Sequence, residues 1–361
     1  MDNEFQDIFK SQINDESDND FTETKKEELP TIDPDFEKTN NNVVNNQNNN
    51  MINKNENNNE EFSILKAYGE DLTKKKYITN PAIARDEEIK KMVLILLSPE
   101  KSVVLTGKAG IGKTSIVEGL SYRIQNGDIP NALKNYEIIK INTSSLLGTY
   151  MKNGVEESKL QTLISEVINK ENLILFIDEI HTLVTASRNG EVDFINMLKP
   201  GLDRGTIKII GATTTQEYEE FLLKDKAFLR RFERVEVEEP DQETTVKILM
   251  GSLKKIEYAT GVKFPYTNWV LELVCKFIVN MTSEYKRVYE NGSRYPDVSL
   301  ALFSKCFTYA RFENSDVVTF KHIYEAIVNC TSVYDDVIKK ELPVFKETFK
   351  EWLDKEKVEM K

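Results

Sequence analysis

From about residue 63 the chain alternates short apolar runs with segments in which apolar residues recur every three to four positions. Five β-rich runs stand out, at 102–106, 137–141, 173–177, 207–211 and 234–238. Between them the spacing of Ile116, Leu120 and Ile124 places all three on one helix face. Strands that read as continuous apolar runs, each followed by a helix, predict βαβ units whose parallel sheet is covered on both faces. Beyond Pro240 no further strand is expected. Apolar residues there follow helical spacing through Val246, Leu249, Leu253 and Ile256, then Trp269, Leu271 and Val274. Residues 331–361 also read as helical, interrupted at Pro343, whose ring removes an N–H and crowds the preceding turn. The expected fold is therefore α/β: a five-stranded parallel sheet sandwiched by helices over residues 63–240, then a small all-α domain over 241–330 and a helical extension over 331–361.

Residues 1–62 show no such pattern. The first 60 hold 16 Asn, and 15 Asp and Glu against 5 Lys. So polar a tract cannot bury enough apolar surface to offset its chain entropy, and it reads as a disordered acidic tail. Within it, Phe5, Ile8, Phe9 and Ile13 are spaced either as a short amphipathic helix for a partner or as scattered apolar residues.

Residues 1–60 carry −10 of the net −12, so the remaining residues are nearly neutral. Displacing phosphate counterions needs excess Lys and Arg, which neither part has, and no nucleic-acid partner is expected. With 361 residues, 40% of them hydrophobic, the chain can bury a substantial core and a smaller second one. Cys275, Cys306 and Cys330 sit in apolar stretches and read as reduced, buried thiols. The longest apolar runs, 92–97 and 173–177, fall far short of the roughly 18–20 residues that span a bilayer. The acidic start resembles no leader peptide. A cytoplasmic protein without membrane contact is expected.

Gly107-Lys108-Ala109-Gly110-Ile111-Gly112-Lys113-Thr114 fits the GxxxxGK[ST] phosphate loop, with an apolar strand leading in and, from Ser115 on, an amphipathic helix leading out. Glycines let the backbone wrap its N–H groups around phosphates without side chains in the way. Lys113 would reach the β- and γ-phosphates of ATP, Thr114 would bind Mg²⁺ through its hydroxyl, and the helix N-terminus adds a favourable dipole. The run 173–177 ends in Asp178 and Glu179. Asp178 would hold Mg²⁺ through water, and Glu179 would polarise the attacking water as general base. The run 207–211 leads into Ala212-Thr213-Thr214, where a strand-end hydroxyl can hold that water or the γ-phosphate; alone, such a Thr is as readily a turn cap. Arg230 and Arg231 precede the last run. The fixed fork of Arg matches phosphate oxygens and suits a finger from a neighbouring subunit, although an isolated Arg pair is more often a solvated ion pair.

Taken together these residues resemble the Clp family of AAA+ unfoldases, in particular the first of the two ATPase modules of its double-ring members. The resemblance begins at Tyr68-Gly-Glu-Asp-Leu-Thr73 and Ile83-Ala-Arg-Asp-Glu-Glu-Ile89 and passes through the phosphate loop. It continues in Gly119-Leu-Ser-Tyr-Arg-Ile-Gln-Asn-Gly-Asp-Ile-Pro130, Phe176-Ile-Asp-Glu-Ile-His181, Asn196-Met-Leu-Lys-Pro200, Gly211-Ala-Thr-Thr214, Glu217-Tyr218 and Leu229-Arg-Arg-Phe232. It covers roughly residues 63–330. It implies that Thr214 stands at the sensor-1 position and that Arg230 and Arg231 are trans-acting arginine fingers. Tyr150, in Leu147-Gly-Thr-Tyr-Met151, would be the pore-loop aromatic that grips polypeptide. Residues 241–330 would form the lid over ATP, and the assembly would be a homo-hexamer.

Three departures are visible. Gly107-Lys-Ala-Gly110 replaces the usual Gly-Glu-Pro-Gly. The stretch Thr-Tyr-Met-Lys-Asn-Gly is two residues longer before its glycine than Lys-Tyr-Arg-Gly, and Tyr295-Pro-Asp-Val298 lacks the usual Lys of Leu-Pro-Asp-Lys. No middle domain, second ATPase module or Ile-Gly-Phe-like peptidase-docking tripeptide is read, so a reduced, single-module form is expected. The function implied is an ATP-dependent unfoldase acting on protein substrates, with any adaptor or peptidase partner engaged without that docking loop. The alternative is an ATP-binding regulatory or assembly subunit that works with a fuller relative.

Overall fold

The computed structural model describes residues 63–152, 154–188, 194–289, 292 and 294–358. The acidic tail, with Phe5, Ile8, Phe9 and Ile13, lies outside the described residues. The strands are β1 (Gly69–Asp71), β2 (Ser102–Thr106), β3 (Glu137–Asn142), β4 (Thr149–Lys152), β5 (Val155–Ser158), β6 (Leu173–Asp178), β7 (Lys208–Thr213) and β8 (Phe232–Glu236). Six of them build the central sheet in the order β1-β3-β6-β7-β2-β8, and β4 pairs with β5 in a separate ribbon.

The five expected strands are present and parallel. The sheet has one more member than expected, because β1 adds antiparallel to the β3 edge. Gly69-Glu70-Asp71 is too short and polar to show a strand period, so only its pairing with β3 makes it one. The ends of β7 and β8 also differ from the sequence-based bounds. Both strands lie against β2, where Thr106 faces Thr213 on one side and Glu236 on the other, and that register decides where each stops.

The short helix α1 (Ile64–Tyr68) leads into β1, and alternation in the strands divides the large domain's core in two. Ile138, Ile174, Phe176 and Ile210 face the helices α2 (Asp86–Leu97) and α3 (Lys113–Asn126), meeting Ile89, Met92, Ile116 and Leu120. On the other face Ile139, Ile141, Leu175, Ile177 and Ile209 pack with Leu160 and Leu163 of α4 (Lys159–Ile168), and with Leu198 and Leu202. α5 (His181–Arg188) and α6 (Phe194–Asp203) follow β6, and α7 (Lys226–Arg231) leads into β8.

The remaining helices are α8 (Gln242–Thr260), α9 (Asn268–Met281), α10 (Asp297–Phe312), α11 (Phe320–Val328), α12 (Asp335–Thr348) and α13 (Lys350–Glu356). They share one apolar cluster running from Val246 to Leu353. The expected interruption at Pro343 is absent, for α12 runs through it to Thr348. Pro343 lies on the exposed side of the helix, while Ile338, Phe345 and Phe349 are buried in the cluster. Burying two Phe side chains and one Ile contributes roughly 1.5–3 kcal/mol each, which outweighs the roughly 3 kcal/mol lost with one helical hydrogen bond. Cys275, Cys306 and Cys330 are buried and unpaired, and burial pushes the Cys306 thiol up to about 12. Among the described residues no helix is long and apolar enough to cross a membrane.

Candidate functional site

The phosphate loop joins β2 to α3, and every strand next to β2 ends at the same edge of the sheet. Gly112 takes φ +97° as the N-cap of α3, and Gly110 takes φ +76°, dihedrals that a side chain would strain. The bend leaves the first N–H groups of α3 directed into a cleft of 380 Å³. Ala109, Gly110, Gly112, Lys113, Thr114 and Ser115 line it from the loop, Asp178 and Glu179 from the end of β6, and Thr213, Thr214 and Glu217 from beyond β7.

Lys113 curls back over its own loop, donating from Nζ to the carbonyls of Gly107 (2.8 Å) and Lys108 (2.9 Å). Burial lowers the Lys113 pKa, opposed by the Asp178 and Glu217 carboxylates. The Thr114 hydroxyl donates to Asp178 Oδ2 at 3.1 Å. These two hard oxygens beside a cradle of N–H groups are a donor set that fits Mg²⁺, which keeps several waters and takes few protein ligands.

Glu179 follows β6 in the left-handed region at φ +53°, a conformation sparsely populated by non-glycine residues. Its carbonyl accepts from the Thr182 N–H (3.0 Å) and hydroxyl (2.9 Å), and the next N–H, of Ile180, donates to Ala212 on β7 (3.0 Å). This turn leaves Glu179 exposed at the cleft while Asp178 stays on the strand.

Beyond β7 the two threonines play different parts. The Thr214 hydroxyl accepts from Glu217 N–H (3.2 Å) and caps a helical turn, while Thr214 N–H donates to Glu217 Oε2 (2.9 Å). Thr213 donates its hydroxyl to the same carboxylate (3.0 Å), and His181 Nδ1 lies 3.0 Å from Thr213 Oγ1 and 3.2 Å from Glu217 Oε2. Burial works to raise the Glu217 pKa, but the Thr214 and Thr213 donors and His181 outweigh it, and the net shift is downward. Nothing local to Glu217 marks it as a lining residue; in the sequence it stands out only within the Glu217-Tyr218 pair of the Clp resemblance.

The helical domain closes one side of the cleft with Pro296, Asp297 and Leu300. Two arginines fix the chain that connects it to the sheet. Arg85 donates to Ile111 O in the phosphate loop (2.9 Å) and to Glu238 O (3.2 Å), and Arg287 pairs with Glu239 Oε1 (2.9 Å), which also accepts from Tyr295 N–H.

Three predicted residues are not brought to the cleft. Arg231 is buried on α7, donating to Asp203 Oδ1 from Nε (2.7 Å) and Nη2 (2.6 Å), and to Ala227 O from Nη1 (2.9 Å). Its neighbour Arg230 is exposed, and among the described residues its guanidinium has no hydrogen-bond or ion-pair partner. Within the subunit the two arginines differ, because successive helical positions point about 100° apart and Arg231 is the one that reaches Asp203 of α6. Tyr150, expected as a projecting aromatic, is half-buried on the β4–β5 ribbon, its hydroxyl near Glu157 Oε2 (3.1 Å) and Thr162 Oγ1 (3.3 Å). Opposed positions share a ribbon face, so the Tyr150–Glu157 pair turns inward. The exposed apolar side chains of the ribbon are Met151 and Val155.

Residues 103–239 match the family model of ATPases associated with various cellular activities (AAA). The chaperone protein ClpB of Meiothermus ruber is 45% identical over 207 residues, 56% of this chain and 24% of that protein. A probable ATP-dependent Clp protease ATP-binding subunit of Chlamydia pneumoniae is 36% identical over 251 residues, 68% of this chain and 28% of that protein. Among solved structures, closed-state Hsp104 with ATPγS and FITC casein superposes with a TM-score of 0.63 at 32% identity, covering 74% of this chain and 45% of that one. The Hsp104–ADP complex of S. cerevisiae gives 0.61 at 30% identity, covering 79% and 49%. The chain thus spans roughly a quarter of the length of these curated relatives and under half of the Hsp104 chains.

Proposed function

Because the chain belongs to the Clp-type AAA+ ATPases, we propose that it hydrolyses ATP at the subunit interfaces of a ring and uses the cycle to pull on or remodel polypeptide substrates. The observation that carries this reading is the convergence on one cleft of the phosphate loop, the Asp178–Glu179 pair, the Thr213–Thr214 strand end and the lid residues Pro296, Asp297 and Leu300. In that cleft the loop N–H groups take the phosphates of ATP, and the Lys113 ammonium exchanges its two carbonyl partners for phosphate oxygens. Thr114 and Asp178 would hold Mg²⁺, which would screen the charge of the β- and γ-phosphates. Glu179 accepts a proton from the attacking water, and Thr214 orients it. Arg230, whose guanidinium has no partner among the described residues, supplies the positive fork to the site of a neighbour.

The tucked Tyr150 favours a second reading, an ATP-binding subunit that works in a ring with a fuller relative and does not thread substrate itself. Steady-state ATP hydrolysis with and without unfolded casein separates the two, in the wild type, Tyr150→Ala and Met151→Ser. Stimulation by casein that either ribbon variant abolishes supports direct pulling. A basal rate indifferent to casein and to both substitutions refutes it and favours the partner-dependent subunit.

A further inference from the structure

Beside the carboxylate that holds the metal there is a cation that the proposed hydrolysis does not use. Lys140 lies on β3, where the register sets it opposite Phe176 and sets Asn142 opposite Asp178. From there its side chain runs along β6. Its Nζ stands 5.7 Å from the centre of the Phe176 ring and 3.5 Å from Asp178 Oδ2. That oxygen is the one to which Thr114 donates its hydroxyl. Thr114, Asp178 and Lys140 are thus a closed set: one carboxylate oxygen between a hydroxyl of the phosphate-loop helix and an ammonium from the neighbouring strand. An ammonium is a compact point charge, able to neutralise a carboxylate without the coordination demands of a divalent ion.

We propose that Lys140 is a built-in counter-cation of the metal position, sharing Asp178 with Mg²⁺ and partly standing in for it when the metal is absent. The proposal rests on Thr114 and Asp178 being the residues that hold Mg²⁺. Two consequences follow from electrostatics alone. A fixed positive charge beside Asp178, which lines the cleft, offsets that carboxylate's repulsion of the phosphates and helps nucleotide to bind without metal. The same charge repels the incoming divalent ion, so the nucleotide complex binds Mg²⁺ more weakly than it would with a neutral residue at position 140. Both groups are about one-third exposed (29% and 33%), so water screens the effect without abolishing it. For charges several ångströms apart in such a setting, the expected shift is about 5- to 10-fold in each quantity.

The test is the affinity of a fluorescent ATP analogue, measured across a Mg²⁺ titration from chelated to millimolar, for the full chain and the variants Lys140→Met, Lys140→Arg and Thr114→Ala. Met keeps the aliphatic stem beside Phe176 and removes only the charge. Lys140→Met is expected to weaken metal-free binding of the analogue about 5- to 10-fold and to move half-saturation by Mg²⁺ to a concentration lower by a similar factor. Lys140→Arg should behave as wild type, and the shift should shrink in 0.5 M salt. If Thr114→Ala loses the metal dependence but Lys140→Met shifts neither quantity, or shifts the Mg²⁺ midpoint upward, the proposal is overturned while the metal assignment stands. If Thr114→Ala keeps the full Mg²⁺ dependence, the metal assignment itself fails and the proposal falls with it.

Discussion

Replacing Arg231 and Arg230 one at a time by Ala should produce two unrelated failures. Arg231 makes two contacts from its fork to Asp203 and one to a backbone carbonyl, all at 2.9 Å or less, with its side chain 11% exposed against 50% for Asp203. Hydrogen bonds to charged groups contribute about 1.5–3 kcal/mol. Solvent at the half-exposed Asp203 argues for discounting the ion-pair part, so Arg231→Ala is expected to cost about 2 kcal/mol. In a unit of this size that lowers the melting temperature by about 4 °C, provided unfolding stays cooperative. Arg230→Ala removes an exposed guanidinium that has no hydrogen-bond or ion-pair partner among the described residues and should leave stability within about 0.5 kcal/mol of wild type. Its loss should appear in turnover. Mixed with wild-type chains, Arg230→Ala should depress ATP hydrolysis more steeply than its share of the mixture, because each missing finger disables a neighbour's site. Thermal melts and a mixing titration measure both effects. Wild-type stability in Arg231→Ala would refute the assignment of that residue as a tie to α6. A rate that falls only in proportion to the Arg230→Ala fraction would refute the finger.

Lys113→Ala should abolish nucleotide binding, whereas Glu179→Gln should bind ATP and stall; fluorescent-nucleotide titration and phosphate release distinguish them. The lowered Glu217 pKa adds stability that is present above the ordinary carboxylate value of 4.5 and is lost as pH falls through the lower folded-state value. The difference in urea midpoint between wild type and Glu217→Gln should accordingly be full above pH 4.5 and fade below it, and a difference that grows on acidification would contradict this. Pro343→Ala should stabilise the helical domain by about 1–3 kcal/mol, since an exposed position in an intact helix regains an N–H donor. An unchanged or lower urea midpoint would show that α12 gains nothing from that bond.

The phosphate loop, the acidic pair after an apolar strand and the alternation of strands with helices were legible because each is local. A loop that wraps phosphates must be glycine-rich, and a strand buried on both faces must be apolar along its length, whatever surrounds it. The edge strand β1 was not legible, since three polar residues become a strand only when β3 offers them hydrogen-bond partners. Nor was the unbroken helix through Pro343, where the burial of Phe345 and Phe349 in the apolar cluster of the helical domain overrides a local penalty.

What the sequence by itself determined about this protein is its α/β class, the phosphate-loop motif that carries Lys113 and Thr114, and the acidic pair Asp178 and Glu179 after an apolar strand, because these follow from residue types at fixed short spacings. Only the tertiary structure decided which of two adjacent arginines is free and that Tyr150 turns inward against Glu157 and Thr162. It also brought Glu217 to the cleft and Lys140 to within 3.5 Å of Asp178 Oδ2. Orientation and proximity between distant segments depend on strand order, register and which helix packs behind, and no spacing along the chain encodes them.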